Sequence, residues 1–187
     1  MKVEKLLGSF LFMMTLSLSY GQKEKINSDT REFIANAEMT QINRNWDVNA
    51  DFKSGIGEIV YFFPIEVIDL KSNQKVKSLQ MDMSVLAENN RNYFKSSWID
   101  LSEVDEFIYF IEQYVIPNLK NKTEVNQSVT YIFNSKEITL SFLIEKSRKR
   151  ISIYLKDNGI TDYQHYFWTE TQVNKIPDLL AVLKQIK

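Results

Sequence analysis

Cysteine is absent from this 187-residue chain, histidine occurs once, and proline and glycine number only three and five. The first absence excludes disulfides, thiolate nucleophiles and cysteine-ligated zinc, so the fold must rest on its core. The lone His165, set in Tyr163-Gln164-His165-Tyr166-Phe167, supplies neither the several ligands of a zinc site nor the pattern of a Ser-His-Asp triad. No glycine-rich phosphate loop of the P-loop or dinucleotide type is present. Excess charge is missing too. With 23 basic against 24 acidic residues, nothing pulls the chain toward nucleic acid or an anionic membrane. These absences predict a non-catalytic protein with no metal and no cofactor.

What the chain has instead is aromatic side chains, 13% of its residues, which favour strands with well-packed faces over disorder. It opens Met1-Lys2-Val3-Glu4-Lys5, runs apolar from Leu6 to Leu18, and closes Ser19-Tyr20-Gly21 before Gln22. A basic start, a short apolar stretch and small residues before a break predict a signal peptide over 1–21, cleaved between Gly21 and Gln22. That stretch falls short of the roughly 20 residues of a membrane span, and no later run is longer. The expectation is a secreted or periplasmic protein with no membrane span after cleavage. Losing Lys2, Lys5 and Glu4 leaves 21 basic and 23 acidic residues, a net charge near −2. The remainder can build a sizeable core, since a domain of about 150 residues buries roughly 68–70% of its unfolded surface.

Residues 22–51 are polar and poorly periodic, with Phe33, Ile34, Met39, Ile42 and Trp46 scattered among charges. They read as a leader segment holding one short helix over 28–38 or an edge strand. Order is expected from Phe52-Lys53-Ser54-Gly55-Ile56-Gly57, where two glycines open a run of β-formers over 58–70. Pro64 cannot donate to a ladder and marks a bulge or an edge there. After a turn at Lys71-Ser72-Asn73-Gln74, Leu79, Met81, Met83 and Val85 alternate with Gln80, Asp82 and Ser84, as in a strand with one wet face. A turn at Glu88-Asn89-Asn90-Arg91 leads to a strand over 93–99. Val104, Phe107, Ile108, Ile111 and Val115 then mark one buried helical stripe, which Pro117 ends or kinks. Beyond a polar linker at 120–127 come strands over 128–133, 137–145 and 150–156, with a basic turn at 146–149. Asp157-Asn158-Gly159 signals a hairpin into a strand over 160–168. A last helix carries Val173, Ile176, Leu179, Leu180, Leu183 and Ile186.

Both helices follow an aromatic strand end and a capping-box spacing, in which each residue satisfies the other's free backbone N–H: Asp100 with Glu103, and Thr169 with Gln172. A constant offset of 69 also aligns Val104 with Val173, Phe107 with Ile176 and Ile111 with Leu180. The pattern predicts an internal repeat: an α+β protein of two tandem antiparallel multi-strand units, 52–120 and 121–187, each followed by a C-terminal helix that covers an apolar sheet face.

The Phe52–Gly57 succession, the strand ending Val67-Ile68-Asp69-Leu70, the helix entry Trp98-Ile99-Asp100-Leu101-Ser102-Glu103-Val104-Asp105 and the second strands-then-helix unit resemble a group of small exported bacterial proteins of uncharacterised function, which have a duplicated, whirly-like sheet-plus-helix fold. The resemblance covers roughly residues 52–187. It implies two units related by a pseudo-twofold, each a curved antiparallel sheet with a helix, and it implies no activity. Cytoplasmic and organellar relatives of that fold bind single-stranded nucleic acid, but a shared fold does not carry a function across.

Three sets of side chains compete for a role. Consecutive aromatics in Tyr61-Phe62-Phe63 and Tyr93-Phe94 point to opposite sheet faces, so Tyr61, Phe63, Tyr93 and Phe94 are the candidate surface for a protein, peptide or glycan partner. The bland reading places them beneath the other unit's helix. Lys146, Arg148, Lys149 and Arg150, with Lys136, Lys156, Tyr154, Tyr163, Tyr166 and Trp168, form the candidate contact of a single-stranded nucleic-acid binder. Its bland counterpart is a solvated hairpin, which export and net acidity favour. Asp100, Glu103, Asp105 and Glu106 offer carboxylates to a hydrolase of envelope polymers, yet a capping box and an acidic first turn explain all four. The leading expectation is an exported binding or structural module. As caps, Asp100 and Thr169 predict that Asp100→Ala and Thr169→Ala each lower stability by roughly 0.5–2 kcal/mol in thermal denaturation.

Overall fold

The computed structural model describes residues 27–86, 92–156 and 166–186. The expected signal peptide with its Gly21–Gln22 cleavage, the turn at 88–91, the Asp157-Asn158-Gly159 hairpin, Tyr163 and His165 lie outside the described residues. The protein is α+β, and its described residues form two antiparallel sheets and three helices. Helix α1 (Asp29–Asn36) is followed by β1 (Thr40–Arg44), β2 (Ala50–Lys53), β3 (Ile59–Asp69), β4 (Lys75–Leu86) and β5 (Asn92–Asp100), which make the first sheet. Helix α2 (Leu101–Phe110) runs on through a wider π turn at Ile111–Val115 and ends in a 3-10 turn at Ile116–Asn118, where Pro117 has no N–H to continue it. The second sheet is the meander β6 (Ser128–Asn134), β7 (Ile138–Glu145), β8 (Arg148–Leu155) and β9 (Tyr166–Thr169). A 3-10 turn at Val173–Lys175 leads into α3 (Ile176–Gln185).

One core joins the inner faces of both sheets. Phe52, Phe62, Met81, Met83 and Ile99 of the first sheet share it with Leu140, Phe142, Ile151, Ile153 and Phe167 of the second. The helices supply Val104, Phe107 and Ile111, and Ile176, Leu179 and Leu183. Phe107 of α2 stacks on Phe133 of β6 with ring centroids 4.4 Å apart, while α3 packs against β2 and β3 of the first sheet. Each helix therefore reaches the sheet of the other half.

Residues 27–51 are built into this fold. Helix α1 starts at a capped Ser28, β1 and β2 both pair with β3, and Ser28 and Thr30 are fully buried. Helix α1 lies on the outer face of the first sheet, where Phe33 and Ile34 pack on Phe63, Ile65, Val67 and Trp98. The face of β4 expected to be wet is instead shielded, and Gln80 and Asp82 are buried as well as Met81 and Met83. As a central strand, β4 has its polar side chains flanked by the larger outer-face residues of β3 and β5.

A buried carboxylate pins α1 to both halves. Glu137, at the entry to β7, is 2% exposed. Its Oε1 accepts from the Ser28 N–H at 2.9 Å, the Ser28 hydroxyl at 2.6 Å and Arg31 Nε at 2.8 Å. Its Oε2 accepts from Arg31 Nη2 at 2.8 Å and the Trp98 N–H at 3.0 Å. Burial alone would push this carboxyl up, but the Arg31 guanidinium, Ser28 and the Trp98 amide outweigh it and hold Glu137 below the usual range. Asp100 beside it receives the Asp29 N–H at 2.7 Å, the Thr30 N–H and hydroxyl at 3.0 and 2.9 Å, and Lys136 Nζ at 2.8 Å. Asp100 thus takes the free N–H groups at the start of α1 as well as heading α2 in the expected box with Glu103.

The second box does not form. The 3-10 turn between β9 and α3 displaces the helix start to Ile176, and neither turn has a side-chain cap. Thr169 and Gln172 instead clamp one residue of β2: the Thr169 hydroxyl donates to the Lys53 carbonyl at 3.0 Å, and Gln172 Oε1 accepts from the Lys53 N–H at 2.7 Å. A 69-residue offset matches the ends of β5 and β9, whereas the helices that follow start differently.

Removing Glu137 strands Arg31 and five donated hydrogen bonds, so Glu137→Ala is expected to cost about 3–5 kcal/mol in chemical denaturation. A depressed folded-state pKa stabilises fully above the unfolded value of about 4.3 and is lost as pH falls through the folded value. The stability gap between wild type and Glu137→Gln should therefore narrow below about pH 4.

Candidate functional site

The site begins with Pro64. Its carbonyl accepts from the Asn45 N–H at 3.2 Å, so its N side faces the same edge of β3 and has no proton to give. The strands along that edge stop on either side of it: β1 pairs from Ile65 onward, with Arg44 opposite Ile65, and β2 pairs back from Phe62, with Ala50 opposite Phe62. Pro64 thus occupies a break in an edge rather than a bulge.

The loop across that break, 45–49, is braced internally. Asn45 Oδ1 accepts from the Asp47 N–H at 3.1 Å, and Asn49 Nδ2 donates to the Trp46 carbonyl at 2.6 Å, the local bonding for which Asn is favoured in turns. The loop folds Trp46 over the sheet, where its ring packs on Phe63 at 4.4 Å between centroids. Phe63 is fully buried and Trp46 is 56% exposed, so a core residue holds an open indole in place.

Helix α1 covers one end of the outer face and leaves the other open. Between Trp46 and Phe94, which is 67% exposed, lies an open cleft of about 470 Å³ lined by Ile42, Arg44, Gln80, Asp82 and Ser96. Register orders these residues into rungs: Arg44 opposite Ile65, Phe63 opposite Gln80, Tyr61 opposite Asp82 and Asp82 opposite Ser96. At the floor, Gln80 Nε2 donates to Asp82 Oδ1 at 2.7 Å and the Ser96 hydroxyl donates to the same oxygen at 2.6 Å. The carboxylate thereby fixes the amide with its NH2 group inward. Asp82 Oδ2 is left without a partner among the described residues, and Gln80 Oε1 is buried with none. The indole N–H of Trp98, directly across from Gln80, is also buried and unpartnered, as is the hydroxyl of Ser78.

Of the four aromatics expected to form one surface, three do share this face: Tyr61 and Phe94 are exposed, and Phe63 is the buried support of Trp46. Tyr93 points the other way and packs against the main core. Sequence reading missed Gln80, Asp82 and Ser96 as floor residues and placed Trp46 only among scattered aromatics. The signals were the Asn45-Trp46-Asp47-Val48-Asn49 turn composition and its pairing with Pro64.

The basic hairpin is largely occupied. Glu170 Oε1 accepts from Arg148 at 2.8 Å and Arg150 at 2.7 Å, and the Arg150 hydrogen bond with Arg148 beside it holds the Glu170 carboxyl below its usual range. Arg150 also lies over the Trp168 ring, 4.6 Å from its centroid, and the Lys146 N–H donates to Thr123. Lys149 is half-buried with its Nζ on the Ser147 carbonyl, and Lys136 and Lys156 serve the Asp100 node and the Ser135 carbonyl. The carboxylates proposed for hydrolysis do not open into a cleft together. Asp100 is buried, and Glu103 accepts from the Asp100 and Lys136 backbone N–H groups. Burial pushes Glu103 up, partly offset by those bonds. Among the described residues no cluster of three or more His, Cys, Asp or Glu is placed to hold a metal ion. No helix there is long and apolar enough to cross a membrane. No protein-family model matches the chain, and no curated protein matches it.

If Phe63 supports the site while Trp46 serves it, the two should separate in thermal denaturation. Phe63→Ala is expected to cost about 3–5 kcal/mol as an unfilled core site. Trp46→Ala should cost about 1 kcal/mol or less, near the range of surface changes.

Proposed function

We propose that this protein is an exported, non-catalytic binding module that engages its ligand through the outer face of its first sheet. The observation that supports this most is the held-open Trp46 facing Phe94 across a floor of Asp82, Gln80 and Ser96. Exposed large aromatics that are rigidly supported and ringed by polar groups are typical of recognition surfaces, because little side-chain entropy is lost when they are covered. The volume also lies within the usual 300–1,000 Å³ of ligand sites. The signal-like start agrees with a role outside the cytoplasm, and the resemblance to small exported proteins with a whirly-like fold points the same way.

Nucleic acid is the weaker reading. The arginines it needs are shared with Glu170, and the aromatic cleft on the other sheet has a carboxylate at its floor. Binding through Arg148 and Lys149 would weaken steeply with salt, because displaced counterions drive it.

The test is a matched capture from native envelope and culture fluid with two baits starting at Gln22, wild type and the double variant Trp46→Ala/Phe94→Ala. A component retained by wild type and lost from the variant at unchanged melting temperature is the expected result. Equal retention by both baits would move binding off this face.

A further inference from the structure

Resting on that binding reading, the geometry points to a neutral oligosaccharide as the ligand of the Trp46–Phe94 cleft. The cleft has one carboxylate at its floor, Asp82, and one guanidinium at its rim, Arg44. An anionic chain would meet Asp82 in a shielded place, and a cationic one would meet Arg44. Neither sign of ligand suits the whole cleft, whereas an uncharged one meets no repulsion.

The cleft is also elongated. Arg44 pairs with Ile65, and Ile65 with Ser78, four residues along β4 from Asp82. Two strands across and four residues along place the two backbones about 16 Å apart. The cleft runs lengthwise over the rungs of Ile65, Phe63, Tyr61 and Ile59, and suits a chain of repeating units.

Asp82 Oδ2 accepts only, and Arg44 donates only. Hydroxyl groups, each donor and acceptor at once, satisfy both kinds along one chain. Gln80, 2% exposed, braces Asp82 from below through its amide Nε2 and keeps that carboxylate in place beneath the cleft. Between these points Trp46 and Phe94 present flat apolar surfaces on opposite sides of the cleft. A pyranose ring has the matching form, with a C–H face to lie on an aromatic ring and hydroxyls at its edge.

The experiment is calorimetric titration of the Gln22–Lys187 chain with neutral hexasaccharides: hexa-N-acetylchitohexaose, cellohexaose, xylohexaose, mannohexaose and maltohexaose. At least one is expected to bind, with affinity nearly unchanged between about 50 and 500 mM salt. Trp46→Ala, Phe94→Ala and Asp82→Asn should each weaken it about tenfold or more. Trp168→Ala, on the other sheet, should leave it unchanged. Asp82→Asn keeps the shape of the floor, and melting temperature reports whether each variant is folded. Absence of binding by all five at millimolar concentration overturns the saccharide assignment, as does salt-sensitive binding of oligolysine in their place. If the component captured from the envelope is still lost with Trp46→Ala/Phe94→Ala, the binding face stands and only the ligand class falls. If capture is also indifferent to those residues, both fall.

Discussion

The structure depends on a carboxylate that water cannot reach. Glu137 sits where the start of α1, the end of β5 and the turn before β7 converge, and each of its oxygens is claimed by segments far apart in sequence. An unpaired charge there would be prohibitive, so the three segments must arrive together or not at all. Asp100 repeats the arrangement one step away, binding the first N–H groups of α1 on one side and Lys136 on the other. Helix α1 has only eight residues, well short of the length at which an isolated helix persists in water. It exists because two carboxylates hold its first turn while Phe33 and Ile34 bury its apolar side.

That anchoring decides where the outer face is open. Helix α1 covers the end of the sheet near Val67 and Trp98, and Pro64 breaks the edge strands at the other side of Phe63. The chain has to leave the sheet at Arg44 and rejoin it at Ala50, and the loop thus freed carries Trp46 back over Phe63. A backbone constraint, the missing N–H of one proline, becomes an aromatic wall. On the inner face α2 and α3 each pack on the sheet of the other half and close the shared core from both ends.

The strands were legible because their physics is local. Alternation over 79–86 marked β4, and the helical stripe from Val104 to Val115 marked α2, whose wider π turn and Pro117 stop shift its end without moving its buried side. What stayed hidden needed partners from elsewhere. Thr169 and Gln172 have capping-box spacing, yet a backbone strand passing within reach offers Lys53 a closing pair of bonds, and the chain spends both side chains there. Gln80 and Asp82 alternate like solvent-facing residues, and only the register with Phe63, Tyr61 and Trp98 shows that they lie beneath larger neighbours. Residues 27–51 lack periodicity because α1 is tied by polar bonds more than by an apolar stripe.

The polar floor and the buried node follow the same rule with opposite outcomes. At Glu137 every acceptor position is met, and the result is rigid attachment. At Gln80 and Asp82 the bonds close among three side chains and leave acceptors over. Such a deficit persists only if the surroundings prevent the side chains from turning to meet each other, and here they cannot turn. Asp82 fixes the amide, the β3–β4–β5 ladder fixes the backbone beneath it, and α1, locked by Glu137 and Asp100, keeps Trp98 from yielding space. The stability concentrated at the node is what holds the polar floor beneath Trp46 and Phe94 in one arrangement, so that a ligand meets a surface already organised.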